Sequence, residues 1–184
     1  MIDGLAYYPN YITPAEEYHL LNFINSQNWL SPFQRRVQHY GYMYDYRRRT
    51  VDASIYLGDL PDWLMPLARR LQRENLFGML PDQVIINEYE VGQGIAPHID
   101  CEPCFEDTIV SISLGSQCVM DFYSMNDDSV LHQPLAQRSL LRMSGKARYD
   151  WKHGVVARKS DVINDERIQR ERRISLTFRK VILS

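Results

Sequence analysis

Two histidines and one carboxylate are the residues in this chain best suited to do chemistry. His98 and Asp100 are separated by a single residue just after the turn Val91-Gly92-Gln93-Gly94, and His153 follows far downstream. Two imidazoles and a carboxylate are the ligand set of a facial non-haem iron centre, which leaves three positions of the octahedron open for a cosubstrate and oxygen. If residues 98–100 are extended, the two-residue period of a strand points both side chains to the same side. An H-x-D tripeptide also arises by chance, and either histidine serves equally well as a hydrogen-bonded structural residue, so the motif needs independent support.

The segment Arg172-Arg173-Ile174-Ser175-Leu176-Thr177-Phe178-Arg179 gives that support. Arg173, Ser175, Thr177 and Arg179 share one face of a strand, and Ile174, Leu176 and Phe178 the other. Either face can be the core. Two arginines inside a protein require an anionic partner, and a dicarboxylic acid is one whose ends match the guanidinium fork. Asn87 and Tyr89 likewise share a face on the preceding strand and can donate hydrogen bonds to the same small molecule, or form a satisfied polar pair of their own.

The elements that must position these residues are helices first and strands after. Thr13-Pro14-Ala15-Glu16 reads as a capping box with proline at the first helical position, followed by Tyr18, Leu21 and Ile24 on one face. A second helix is expected over about residues 62–74, with Trp63, Leu67 and Leu71 in register and Pro66 tolerated only in its first turn. From Val84 onward the period changes to two. Strands are expected at residues 84–89, 108–114, 118–123, 138–143, 153–157 and 172–182. Many short strands without intervening helices exclude a parallel α/β sheet and predict a mainly β fold, a double-stranded β-helix or jelly roll buttressed by N-terminal helices. With 184 residues, one domain is expected over residues 1–184: about residues 1–83 as helical buttress and substrate lid, about 84–184 as the jelly-roll catalytic core.

Composition narrows the class further. Apolar residues make up 45% and charged residues 24%, ordinary for a globular protein and outside the range of disordered or collagen-like chains. No apolar run is long enough to span a bilayer and the N-terminus lacks a signal pattern, so a cytoplasmic monomer with no membrane partner is expected. Cys101, Cys104 and Cys118 are an odd number without an export signal, and reduced thiols are the simpler reading. The Cys101/Cys104 spacing also fits a redox pair or half a zinc site. A net charge of −2 gives no global attraction to a polyanion, so any nucleic-acid contact must be local. Residues 35–49, which include Tyr42, Tyr44, Arg47, Arg48 and Arg49, interleave arginine and tyrosine as a phosphate-gripping, base-stacking lid would. The alternative is two ordinary strands joined by a solvated basic turn.

Taken in order, Asn87 and Tyr89, His98 and Asp100, His153-Gly154, and Arg173 through Arg179 resemble the AlkB family of Fe(II)- and 2-oxoglutarate-dependent oxygenases from about Arg36 to Lys180. The phrases Val37-Gln38-His39-Tyr40-Gly41, Phe105-Glu106-Asp107, Ser111 through Ser116 and Arg148 through Gly154 are similar to the oxygenase module of the homologue that hydroxylates a tRNA wobble uridine. The resemblance implies that His98, Asp100 and His153 bind Fe(II), and that Arg173 holds the distal carboxylate of 2-oxoglutarate. It also implies that Arg179 serves nearer the metal and that Asn87, Tyr89 and Ser175 complete the pocket. O2 would be the oxidant, with succinate and CO2 as products. Glu102 stands where some AlkB-like repair enzymes place an aspartate that helps read the base. The expected substrate is an alkylated or otherwise modified base in single-stranded DNA or RNA. A methylated protein side chain such as methyl-lysine, or an inactive nucleic-acid-binding module, is the alternative. In 184 residues no room is expected for the RNA-recognition and methyltransferase domains that accompany that module, so its tRNA partnership is not implied by the resemblance.

Overall fold

The computed structural model describes residues 2–32, 34–51 and 53–183. In chain order its elements begin with β1 (Leu5–Tyr8), α1 (Pro14–Ser26), β2 (Arg36–Tyr40) and α2 (Met65–Arg73). Then come β3 (Gln83–Tyr89), β4 (Ile95–His98), β5 (Ile109–Gly115), β6 (Cys118–Ser124), β7 (Val130–Leu135) and β8 (Leu140–Met143). The last are α3 (Lys146–Tyr149), β9 (Trp151–Val155), β10 (Ser160–Ile163), β11 (Glu166–Gln169) and β12 (Arg173–Arg179). The strands form a six-stranded sheet in the order β1-β8-β5-β12-β3-β2, a four-stranded sheet β4-β9-β6-β7 and a separate hairpin β10-β11. Every pairing between these strands is antiparallel.

α1 starts as the capping box requires. The Thr13 hydroxyl accepts from the Glu16 amide, and the Glu16 carboxylate accepts from the Thr13 amide. Its buried stripe differs from the expected one: Glu17, Leu20 and Ile24 face inward, while Tyr18 is 65% exposed. Glu17 can be buried because its carboxylate accepts from the Gly115 amide, Gln137 and Arg138, so the hydrogen bonds lost to water are replaced. α2 is shorter than expected and carries Pro66 in its first turn, where the missing N–H costs nothing. Trp63 lies ahead of that helix, stacked on Phe23 and edge-on to Tyr40.

The six-stranded sheet has two unlike faces. Val84, Ile86, Val110, Ile112, Leu114, Leu140, Ile174, Leu176 and Phe178 form one apolar cluster with Leu20, Ile24, Leu67 and Leu71 of the helices. On the other face Ile109, Leu141 and Met143 share a second cluster with Met120, Phe122, Leu135 and Val155 of the four-stranded sheet. Both faces of β12 are therefore core, and its polar face lies between the sheets. The sheets pack on one another with helices on the outside, a mixed sheet-and-helix fold. The first 83 residues are more than a buttress, since β1 and β2 extend the larger sheet at both edges. No helix among the described residues is long and apolar enough to cross a membrane.

Candidate metal centre and active site

β4 and β9 are hydrogen-bonded neighbours, and their register sets His98 directly opposite His153. Asp100 follows two residues after His98, so the alternation of extended backbone returns its carboxylate to the same side. The ligand atoms of the three residues lie within 4.8 Å of one another, the sole such metal-capable group among the described residues. His98 Nδ1 lies 2.9 Å from the Ala96 carbonyl, an acceptor, so this nitrogen carries the proton and Nε2 presents its lone pair to the centre. His98 Nε2 is 3.7 Å from Asp100 Oδ1, and the two imidazole centroids are 4.5 Å apart.

The electrostatics suit a metal. Burial, followed by the neighbouring His98, pushes the His153 pKa down to about 3, so its imidazole is neutral and able to ligate at ordinary pH. Burial alone would raise the Asp100 pKa, but Arg179 and the surrounding imidazoles outweigh it and hold the carboxyl below the usual carboxylate range. Arg179 reaches Asp100 Oδ1 from Nη2 at 3.2 Å and Oδ2 from Nε at 3.4 Å. Arg148, buried on α3, donates to the carbonyls of Asp100 and Cys101 at 2.9 and 3.2 Å. It joins the segment that leads into His153 to the turn that carries Asp100.

His98 and Asp100 open on a cavity of about 380 Å³ whose other walls include Arg35, Tyr44, Tyr46, Asn87, Phe105 and Arg179. A larger groove of about 710 Å³ lies between α1 and α2. It contains no convergent metal ligands, and the chemistry belongs to the smaller cavity.

The residues expected to hold a dicarboxylate all lie on the inner face of the six-stranded sheet. Arg173 pairs with Tyr89 and Ser175 with Asn87 across β12 and β3, and Arg179 lies further along the same face. Asn87 and Arg179 line the cavity, whereas Tyr89 and Arg173 border a separate small recess of about 10 Å³. Arg173 Nη2 donates to Ser113 at 2.8 Å, and its buried Nε has no hydrogen-bond partner. Ser175 and Ser111 share a hydroxyl hydrogen bond of 2.9 Å.

Of the residues expected to meet substrate, Tyr44 and Arg49 line the metal cavity, and Arg49 with Glu102 lines an adjoining hollow of about 320 Å³. Arg47 and Arg48 stand exposed on a turn whose backbone amides donate to Asp45 Oδ1 at 2.8 and 3.0 Å. Tyr42 is not at the cavity. Its ring lies 4.9 Å from that of Tyr56, because Tyr42 bridges to Tyr56 and is drawn away from the metal side. Arg35 and Tyr46 of this wall belong to the 35–49 lid segment without having been singled out in it, whereas Phe105 and apolar residues such as Ile85 and Ile95 were not expected there. Tyr46 belongs to the same aromatic run as Tyr44, so spacing along a loop gave no basis for choosing among its tyrosines. His39 supports this wall, with Nε2 3.4 Å from the Tyr46 hydroxyl.

The expectation of reduced thiols also needs correction, since Cys101 and Cys104 form a disulfide. A 3-10 turn over Glu102–Cys104 folds the short spacing back on itself and brings their Cα atoms to 5.3 Å. Cys118 remains a buried free thiol.

Residues 25–179 match the family described as the 2OG-Fe(II) oxygenase superfamily. Over 98% of its length the chain is 38% identical to an Arabidopsis thaliana protein named "Alkylated DNA repair protein ALKBH8 homolog", of which it covers 59%. It is 40% identical, over 97% of its length, to a Xenopus tropicalis protein named "tRNA (carboxymethyluridine(34)-5-O)-methyltransferase alkbh8", of which it covers 32%. The chain thus spans between a third and three fifths of these two relatives. Among solved structures, that of OsALKBH1 superposes with a TM-score of 0.74 over 98% of both chains at 19% identity, a likeness of fold. The convergent triad falls inside a match covering most of the sequence, and on both grounds the chain belongs to the AlkB-related 2OG-Fe(II) oxygenases and is a dioxygenase.

Proposed function

We propose that this protein oxidises a modified or alkylated base in nucleic acid, using Fe(II) held by His98, Asp100 and His153 and 2-oxoglutarate held between Arg173 and Arg179. The observation that carries the reading is the convergence of two imidazoles and one carboxylate beside a cavity walled by aromatics and arginines. The donor set fits Fe(II). The unpartnered, buried Nε of Arg173 fits a carboxylate, because an orphaned guanidinium donor is costly unless an anion completes it. When bound, Fe(II) with 2-oxoglutarate and O2 supplies oxidative decarboxylation coupled to hydroxylation of a substrate C–H bond, giving succinate and CO2.

The chain's own residues do the rest. The Ala96 carbonyl fixes the His98 tautomer, and Arg179 keeps Asp100 ionised. Ser113 orients Arg173, while Asn87, Tyr89 and Ser175 complete the polar stripe of a double-stranded β-helix that constitutes one catalytic domain. Tyr44, Tyr46 and Phe105 offer surfaces on which a flat base can stack, and Arg35 and Arg49 place positive charge where a strand's phosphates would run. Glu102, beside Arg49, offers an acceptor for a base edge. The names of the Arabidopsis and Xenopus relatives, which mention alkylated DNA and tRNA uridine, support a nucleic-acid substrate.

The test is an anaerobic binding screen followed by aerobic turnover. Methylated single-stranded DNA, matching RNA, tRNA with modified wobble uridines and methyl-lysine peptides are compared while mass spectrometry follows product. Added oxygen denotes a stable alcohol and loss of CH2 a demethylation. Turnover confined to the peptides would remove the nucleic-acid reading.

A further inference from the structure

The Cys101–Cys104 disulfide adjoins the metal ligands yet takes no part in the reaction above. Cys101 directly follows Asp100, and both of their carbonyls accept from Arg148, so this turn carries the carboxylate ligand. The two sulfurs also face the substrate-side loop. The Arg49 carbonyl oxygen lies 3.2 Å from Cys101 Sγ and 3.5 Å from Cys104 Sγ. A disulfide sulfur has no hydrogen to donate, so in the oxidised protein this carbonyl faces two atoms that cannot bond it. Once the bond breaks the two sulfurs must separate to non-bonded contact, and each then carries an S–H that can turn toward the same nearby carbonyl. Both cysteines are buried, and the hollow lined by Arg49, Asp100, Cys101 and Glu102 reaches Cys101, the member of the pair nearest to a small reactant.

We propose that Cys101–Cys104 is a redox site that latches the Tyr42–Arg49 loop onto the metal-bearing turn. A dithiol reductant delivers two electrons and two protons. The S–S bond breaks, two thiols form and the reductant leaves as its own disulfide. Both new S–H groups then converge on the Arg49 carbonyl and hold the loop down. Peroxide reverses the step, re-forming the S–S bond while its O–O bond breaks and two waters leave. The position of the pair makes the loop that borders the cavity sensitive to redox state without altering any metal ligand. The inference rests on the disulfide and the loop contact and does not depend on the substrate assigned above.

Arg47, Arg48 and Arg49 are exposed, which makes trypsin a reporter of the latch. The full chain is treated with dithiothreitol or with peroxide and digested briefly, and cleavage after each of these arginines is followed by mass spectrometry, with other sites as the reference. The reduced protein should gain two hydrogens and be cut in this loop about threefold more slowly, a modest factor because a thiol is a weak donor and cleavage follows the open population. In C101A/C104A the redox dependence should vanish and cleavage should proceed at the oxidised rate. Should that variant fold poorly, C118A decides the point, because it must keep the whole effect. Equal cleavage in the two redox states, or a redox effect that survives C101A/C104A or disappears in C118A, would overturn the proposal.

Discussion

The metal centre and the loop that borders it are built in opposite ways. His98 and His153 sit on paired strands, and Asp100 is fixed through its side chain by Arg179 and through its carbonyl by Arg148. The Arg47–Arg49 turn is held by amides donating to Asp45 and by the single bridge from Asp45 to Thr50, with its arginines in solvent. Chemistry that needs atoms placed within tenths of an ångström is carried by the sheets, and gripping a polymer is left to a loop that can adjust. Substitutions at the centre should therefore cost much more than substitutions in the loop.

The largest effect is expected for Asp100→Ala. It removes a metal ligand and leaves Arg179 buried without its carboxylate, which should lower stability by about 3–5 kcal/mol and abolish metal retention. Chemical denaturation and metal analysis would show both. A variant with wild-type stability that still holds metal would break the distinction between the two regions at its strong end. Arg173→Ala comes next, with a loss of about 2–5 kcal/mol, or at least tens-fold, in 2-oxoglutarate affinity. Calorimetric titration measures it, and unchanged affinity would show that Arg173 Nε is completed by something other than the cosubstrate.

His39 sharpens the comparison because it lies between the two regions, on the inner face opposite Ile85 and against Tyr46. Burial, then the charge of Arg179, lowers its pKa from 6.5 to about 4. The unfolded chain therefore takes up the proton first as pH falls. Stability is fully present above pH 6.5 and is lost as pH drops towards 4, by about 3 kcal/mol at most. His39→Gln should flatten the denaturation midpoint across that window relative to wild type, and parallel profiles would place the imidazole in water. Arg148→Lys keeps the charge but loses the fork that spans two carbonyls. It should weaken Mn(II) affinity of the purified protein about tenfold, with Arg148→Ala weaker still. An equal loss of global stability in the two variants with unchanged metal affinity would make Arg148 a brace for α3 alone.

What was legible beforehand follows a physical division. β3, β5, β6, β8, β9 and β12 all have a neighbour on each side, and their runs of Val, Ile, Leu and Phe announced them. β1, β4, β7 and the hairpin β10-β11 went unanticipated, and β2 entered only as an alternative. All six are edge strands. An edge needs less apolar sequence and tolerates proline, which β4 has at Pro97 and β7 at Pro134. The triad and the polar stripe were legible because strand alternation converts spacing into direction. Tyr42 misled for the converse reason: in a loop no period links adjacent side chains to a face, so Tyr42 and Tyr46 could not be told apart. The disulfide stood only as the redox-pair alternative, because the absence of an export signal argued for thiols and the 3-10 turn that joins the pair is a local geometry that composition does not encode.

The smallest effect on the fold, and the sharpest test of the loop, is expected from replacing Arg47, Arg48 and Arg49 together by alanine. The three are exposed, and alanine retains the backbone amides that donate to Asp45, losing only an exposed ion pair of 3.8 Å between Arg48 and Asp45. Stability should stay within about 0.5 kcal/mol of wild type, as for other surface changes. Binding should behave differently. If the three guanidiniums meet phosphates, each contact releases condensed counterions, and the plot of log affinity for single-stranded nucleic acid against log salt should lose about two units of slope. Weakening should be similar across sequences, because phosphate contacts position a strand without reading it. A titration series at several salt concentrations makes the measurement. Reduced affinity at an unchanged slope would mean that the triple variant acts through the shape of the loop, and unchanged affinity would move the strand's path to Arg35 and the aromatic wall, so that the loop no longer grips the polymer at all.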